Sequence, residues 1–496
     1  MANFFGLRRS DSHGDAGVAI PRPRRFVELF FTLIAVAICP ASMWMVDPEA
    51  VAKGDTTWLL AAGVLGIGAL LIHIVLYVRA RFADPFILPI VVALNGIGLA
   101  MIYRIDLTTA ANAGAAQIIW TGVAMVASAV TLFFLKDHRG LRRITYTSLA
   151  IALVLLVLPL VPGLGVEING ARIWISVLGR TFQPGEIAKI ALAVFFAGYL
   201  STHRDLILLA GKKVGPVRLP RFRDLAPMFV AWLISIGVLV LQKDLGSAIL
   251  FFGLFLSMLY LATGRIVWVL LGLVFVAVGG VLAYNFISHV HYRIYAWVHA
   301  FDPEIYNQPF GGSGQVVQGL FGLASGGLFG RGWGNGRPDL VAFSNSDMII
   351  TALGEELGLL GLGAILMLFL LLVTRGMRAA LGTPDAFGKL LAAGLSLVMV
   401  IQLLVVIGGV TRLIPLTGLT TPFMSAGGSS LLANWVIVAL LLSISHSARA
   451  PHVVETYDDV PESISRQGEA DGATSVISRI SETSHQGSTK VGDARE

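Results

Sequence analysis

The chain has 496 residues, 55% of them hydrophobic and only 13% charged, against roughly 25% charged in a soluble domain. That balance excludes a water-soluble globular protein and leaves a polytopic protein surrounded by membrane lipid. The net charge of +6, with no basic domain to hold it, reads as topology information and excludes a nucleic-acid partner, while the single cysteine, Cys39, excludes an internal disulfide framework and a cysteine-rich zinc site.

Residues 1–25 read as a cytoplasmic N-terminal segment. The first apolar run, Phe26 to Trp44, follows Arg22, Arg24 and Arg25. It is long enough to anchor the chain, and no cleavable signal peptide is expected. About twenty apolar residues cross a bilayer. By that measure about twelve spans are expected, at 26–46, 57–79, 84–103, 114–135, 145–162, 184–201, 225–242, 245–263, 265–285, 347–374, 386–408 and 430–446. The fold class is therefore all-α, a polytopic membrane helix bundle over residues 26–446. Basic clusters follow the even-numbered spans: Arg79 and Arg81; Lys136, Arg139, Arg142 and Arg143; Arg204, Lys212, Lys213, Arg218, Arg221 and Arg223; Arg375 and Arg378. All fall on one side, which the positive-inside rule makes cytoplasmic. Both termini are then cytoplasmic, and the loops at 163–183, about 286–346 and 409–429 face outward. Residues 447–496, rich in Ser, Gly, Asp and Glu, are expected to form a disordered cytoplasmic tail.

The long insert before the tenth span, about Ser288 to Asp347, is expected to be irregular backbone, which hydrocarbon does not tolerate. It lies in water or lines a polar cavity. Within it Asp302 precedes Pro303, and the proline biases Asp302 to an extended conformation that can project its carboxylate. An isolated Asp-Pro is more often a turn or a cap. Arg293 stands nearby and could hold a phosphate or Asp302 itself. His289, His291 and His299 match no strong metal spacing.

Other charges interrupt apolar segments. Glu186 and Lys189 are three apart on one helix face. They read as a structural ion pair or as the wall of a cavity for a charged headgroup. Arg172, Trp174 and Arg180 lie just outside that span. Lys243 and Asp244 demand a tight turn between two spans, where Asp244 either caps a helix or lines the same cavity. Asp347, Glu355 and Glu356 sit in or near the outer half of the tenth span. The two adjacent glutamates project about 100° apart, so at most one is expected to face a common site. Before the last span, Pro415 and Pro422 with Ser425, Gly427, Gly428, Ser429 and Ser430 suggest a cavity-lining loop. Its hydroxyls and backbone N–H groups suit an anion or a sugar, although the Gly-Gly pair equally suits close packing.

These blocks, in this order, resemble the SEDS family (shape, elongation, division and sporulation; the RodA/FtsW type). The blocks are Gly170–Trp174, Phe182–Lys189, Gln242–Gly246, Asp302-Pro303, Ser325–Gly332, Asp347 with Glu355–Gly358, and Pro415–Gly418 with Pro422–Ser430. The chain departs from the family pattern at Ile173, Gly185 and Lys243. It also has two more spans than the family's usual ten or so, placed before the first motif. The elongation type looks closer than the division type.

The resemblance implies a peptidoglycan glycosyltransferase that polymerises lipid II by β-1,4 linkage and releases the lipid pyrophosphate. It implies Asp302 as the essential loop aspartate, general base or positioner for the acceptor 4-hydroxyl. Substrate-binding candidates are Arg172, Trp174, Glu186, Lys189, Asp244, Arg293, Asp347, Glu355, Ser425, Gly427, Gly428 and Ser429. No residue is assigned to metal, but a divalent cation, magnesium or manganese, is a candidate cofactor at the pyrophosphate. The implied partner is a class B penicillin-binding protein. The competing readings are a lipid II flippase, which would need alternating access and leaves Asp302 without a task, and a non-catalytic scaffold, in which Asp302 is dispensable.

Overall fold

A computed structural model describes residues 23–49, 54–109, 112–168, 170–177, 179–209, 212–214, 217–219, 222–308 and 311–451, without the side chains of 204–225. The N-terminal segment before residue 23, the tail from 452 and the side chains of the basic cluster from Arg204 to Arg223 lie outside it.

The helices are α1 (Arg25–Val46), α2 (Thr57–Arg79), α3 (Ile87–Thr109), α4 (Ala113–Phe134), α5 (Thr145–Val157), α6 (Gly185–Leu209), α7 (Phe222–Leu241), α8 (Leu245–Thr263), α9 (Ile266–Phe286), α10 (Ser288–Val298), α11 (Pro303–Tyr306), α12 (Gly314–Gly326), α13 (Ile349–Gly382), α14 (Ala386–Val410) and α15 (Gly428–Arg449). Among the described residues, eleven helical segments are long and apolar enough to cross a membrane. The expected span at 225–242 is a shorter apolar helix, Ala226–Leu241, within α7, which carries Pro227 near its start. All twelve expected spans are thus helices, and eleven meet the length criterion on their own.

Helices α3 and α15 form the centre: 89% and 83% of their most apolar stretches are buried. Polar side chains pin them together, because hydrocarbon leaves such groups no water to bond. Trp435 Nε1 donates to Asn95 Oδ1 at 3.2 Å, and Asn95 Nδ2 donates to Phe423 O at 3.3 Å. Gly98 lets α3 touch the backbone of Met424, where any Cβ would sit 2.5 Å from its Cα. By contrast only 6% of the apolar stretch of α9 is buried, so that helix is apolar all round and packs at the periphery.

The two additional N-terminal helices are fastened to each other and to the chain just before α3, where Arg25 Nε donates to Arg81 O at 3.1 Å and Arg25 Nη2 donates to Ala83 O. Glu28 is buried between Arg25 and His73, whose Nδ1 lies 2.8 Å from Glu28 Oε1. Asp84 pairs with Arg449, and Arg375 lies 3.7 Å away.

Two features depart from a purely helical reading. Residues 165–182 form a three-stranded antiparallel sheet, β1 (Gly165–Ile168), β2 (Ala171–Val177) and β3 (Arg180–Phe182). Gly170 and Gly179, at φ +77° and +75°, turn the chain between strands where a left-handed residue is needed. A second hairpin pairs Lys212–Val214 with Val217–Leu219. The first half of the long insert is helical rather than irregular, with α10, α11 and α12, while most of the glycine-rich stretch after α12 is turns, as expected. The spacing of Val290, Arg293, Ala296 and Trp297 is that of a helix face, and Val290 and Ala296 are its buried residues.

Candidate active site

Asp302 stands between α10 and α11 with its backbone fixed on both sides. Its N–H donates to His299 O at 3.1 Å, and its C=O accepts from the N–H groups of Ile305 and Tyr306 at 3.0 and 2.8 Å. Its φ of −68° and ψ of 128° are extended, with Pro303 as the first helical residue, as the Asp-Pro pair predicts. The side chain makes no capping hydrogen bond and is exposed. A helix start normally uses its Asp to cap; here the carboxylate projects without that duty.

Arg293, on the helix that leads to Asp302, carries the electrostatics inward. Burial lowers the pKa of its guanidinium, while the carboxylates of Asp244 and Asp347 raise it. Burial in turn pushes Asp347 up to about 6, against hydrogen bonding and the charge of Arg293. Gln315 Nε2 donates to both Asp347 oxygens, at 3.3 and 3.4 Å. Asp244 is likewise raised by burial and lowered by its bond from Ser247 and by Arg293. It also caps α8, accepting from Ser247 N at 2.9 Å, so the cap and the cavity wall are one residue. Lys243 takes φ +61° in the turn before it.

Below this group lies the expected ion pair. Lys189 Nζ sits 2.5 Å from Glu186 Oε2, and both side chains are buried. Lys189 also donates to Gln402 Oε1 at 3.1 Å and Asn434 Oδ1 at 3.4 Å, so its charge is neutralised and its donors are occupied. Gln402 and Asn434 were not singled out from sequence. Their position inside apolar spans was the available signal, because polar groups at such depth face the bundle interior.

The remaining candidates divide. Arg172 contributes its backbone N–H, which donates to Gln242 O at 3.2 Å and docks the sheet on the turn before Asp244. Its guanidinium turns to Glu167 at 2.8 Å in solvent. Trp174 is half-buried and pairs across the sheet with Val166. The loop before α15 is already bonded internally. Ser425 Oγ donates to Ser346 O at 2.6 Å, and Gly427 N donates to Gln117 Oε1 at 3.1 Å. Gly428 packs on Trp120, where a Cβ would fall 2.2 Å from the indole, and Ser429 is buried. Close packing thus accounts for Gly428, whereas a Cβ on Gly427 would meet only ordinary contacts, the nearest 3.5 Å away on Thr420.

Glu355 and Glu356 both face one segment, the glycine-rich turn after α12, despite their 100° offset. That turn wraps the helix. Glu355 accepts from Arg337 N at 3.1 Å and Ser325 Oγ at 3.3 Å. Glu356 accepts from Gly334 N at 2.8 Å and lies 3.2 Å from Arg104 Nε. Arg104 in turn donates to the carbonyls of Gly334 and Gly336.

His291 and His299 contact backbone carbonyls of Tyr284 and Tyr295. Among the described residues no three His, Cys, Asp or Glu side chains come together to hold a metal ion.

Arg293, Asp244 and Asp347, with Glu186 and Lys189, make a buried polar group inside a many-helix membrane bundle, and Asp302 stands exposed in the segment that follows α10. A family model described as cell cycle protein (FtsW/RodA/SpoVE) matches residues 85–450, and the chain belongs to that family. It is 46% identical over 451 residues to the peptidoglycan glycosyltransferase RodA of Mycobacterium bovis, covering 88% of this chain and 94% of that one. It is 45% identical over 473 residues to RodA of Mycobacterium leprae, covering 93% and 98%. Stage V sporulation protein E of Bacillus subtilis is 36% identical over 340 residues, 67% of this chain and 87% of that one. A solved structure described as structural coordination of polymerization and crosslinking by a peptidoglycan synthase complex aligns with TM-score 0.59 and 25% identity, over 75% of this chain and 99% of that one. Helices α1 and α2 precede the matched region.

Proposed function

We propose that the protein is a peptidoglycan glycosyltransferase of the elongation type that polymerises lipid II at the outer face of the cytoplasmic membrane. The observation that carries this reading is Asp302, a carboxylate held by a fixed backbone and left without a capping bond. It takes the proton of the acceptor sugar 4-hydroxyl. The resulting oxygen attacks the anomeric carbon of the donor, the carbon–phosphate oxygen bond breaks, and the lipid pyrophosphate leaves. A positioned base of this kind supplies about 10²–10⁴-fold.

The leaving pyrophosphate needs positive charge that is in place beforehand. Arg293 suits that role better than Lys189, whose donors are taken by Glu186, Gln402 and Asn434. Arg172 is a peripheral candidate. A magnesium or manganese ion, if used, would be held largely by the pyrophosphate oxygens, and no step above depends on it. The basic clusters support cytoplasmic termini and an outward Asp302, where flipped lipid II stands. The synthase complex among the similar structures supports a class B penicillin-binding protein as partner, supplying the crosslinking step.

The test is glycan polymerisation from lipid II by the purified protein, wild type against Asp302→Ala, with the class B partner added. Polymer from wild type and none from a folded Asp302→Ala is expected. Equal polymer from both would clear Asp302, and none from either would favour a flippase or a scaffold.

A further inference from the structure

We propose that Arg412 is a positioning residue for Asp302: its guanidinium fixes the end of α10 and so sets where the Asp302 carboxylate stands. The inference rests on the reading of Asp302 given above. Arg412 follows α14 and its cap residue Thr411 and has φ +59°. Glycine or asparagine fills such a left-handed position more readily. An arginine at such a position points to a use for its side chain.

That side chain crosses to a helix 115 residues earlier in the chain. Nε donates to Trp297 O at 3.1 Å, and Nη2 donates to Val298 O at 3.0 Å. These are the last carbonyls of α10, which lack partners within the helix and attract positive charge. The guanidinium carbon lies 5.0 Å from the centre of the Phe301 ring, next to Asp302. In return Trp297 Nε1 donates to Arg412 O at 3.1 Å. The next two carbonyls are also accounted for: His299 O accepts from Asp302 N, and Ala300 O accepts from Ser313 Oγ at 2.6 Å. Two of the four carbonyls that define the approach to Asp302 therefore depend on one guanidinium.

Arg412 can be lost without unfolding the protein. Val298 is 51% exposed, so water replaces the guanidinium at its carbonyl. A cleft of about 460 Å³ lined by Trp297, Val298, Leu320, Thr411 and Arg412 leaves the released helix end room to shift. A base displaced by about 1 Å loses up to roughly a hundredfold in rate.

The test is lipid II polymerisation by the full chain with the class B partner, for the parent, Arg412→Asn, Arg412→Lys and Asp302→Asn, alongside unfolding temperatures. Asparagine accepts left-handed backbone, so Arg412→Asn is expected to unfold within about 2 °C of the parent. Its kcat is expected to fall roughly tenfold to a hundredfold, with KM unchanged within about twofold. Arg412→Lys keeps the charge but reaches one carbonyl, and is expected between the two. Parent-like kcat in Arg412→Asn beside a silent Asp302→Asn overturns the positioning role and leaves the site reading standing. A raised KM at unchanged kcat overturns it as well, making Arg412 a substrate contact, and so does a loss of activity matched by a loss of unfolding temperature. An Asp302→Asn as active as the parent sinks the site reading, and this inference with it.

Discussion

Asp302 and the pair Glu355–Glu356 are carboxylates at the same end of the bundle, yet their lone pairs meet opposite fates. Glu355 and Glu356 are buried, 4% and 1% exposed, and bind backbone N–H groups, Ser325 and Arg104. Glu355 Oε1 and Glu356 Oε2 spend their hydrogen-bonding capacity on the chain itself, and Glu356 Oε1 faces Arg104 as an ion pair. Asp302 has a rigid main chain and a side chain without a capping bond. Burial of charge alone therefore does not mark a carboxylate as available to a substrate; what matters is the capacity left after the fold is satisfied. The Glu186–Lys189 pair stands between these extremes, at the floor of the site but neutralised within it.

The largest expected effect separates the two kinds of carboxylate. Asp302→Asn should lower turnover roughly 10²–10⁴-fold while the unfolding temperature stays within about 2 °C. Glu356→Gln should do the reverse. It leaves the buried Arg104 guanidinium without its counter-charge, at a cost of about 3 kcal/mol, read as reduced thermal stability of the purified protein. If Glu356→Gln were as stable as the parent, the idea that this carboxylate is spent on the fold would fail. The ion pair gives a smaller and more diagnostic number. Lys189→Met strands Glu186, and adding Glu186→Gln should recover about 1–2 kcal/mol of the loss in a double-mutant cycle. Strictly additive losses would mean that the two side chains do not act as a pair.

Local chemistry was legible in the chain, and distant chemistry was not. The extended Asp302 follows from Pro303 one residue on. The Glu186–Lys189 contact follows from i, i+3 spacing, and the Asp244 cap from its place before an apolar run. Each is settled within a few residues. Gln402 and Asn434, the other partners of Lys189, lie 213 and 245 residues away, and only the packing of α6 against α14 and α15 brings them in. Arg412 was invisible for the same reason: nothing near it in sequence tells that it reaches α10. The insert is irregular where its glycines fall after α12, and helical before that, where Val290, Arg293, Ala296 and Trp297 keep helical spacing. The shared segment of Glu355 and Glu356 was unreadable because a flexible turn, not a second helix face, comes round to meet both.

The smallest expected effect lies in the pH dependence of stability, and it tests whether Asp347 belongs with the free carboxylate or with the spent ones. Burial raises Asp347 to about 6, above its ordinary value. A group raised in the folded state binds its proton more tightly there than in the unfolded chain. Its contribution to stability is full below the ordinary carboxylate range and is lost as pH rises through about 6. The unfolding temperature of the parent should thus fall between pH 4 and pH 7, and Asp347→Asn, which cannot titrate, should show a shallower fall over the same interval. Asp244, raised in the same sense, contributes to the residual slope. Equal slopes in parent and variant would mean that Asp347 is ionised throughout, paired with Arg293 as firmly as Glu356 is with Arg104, and would move it into the structural class.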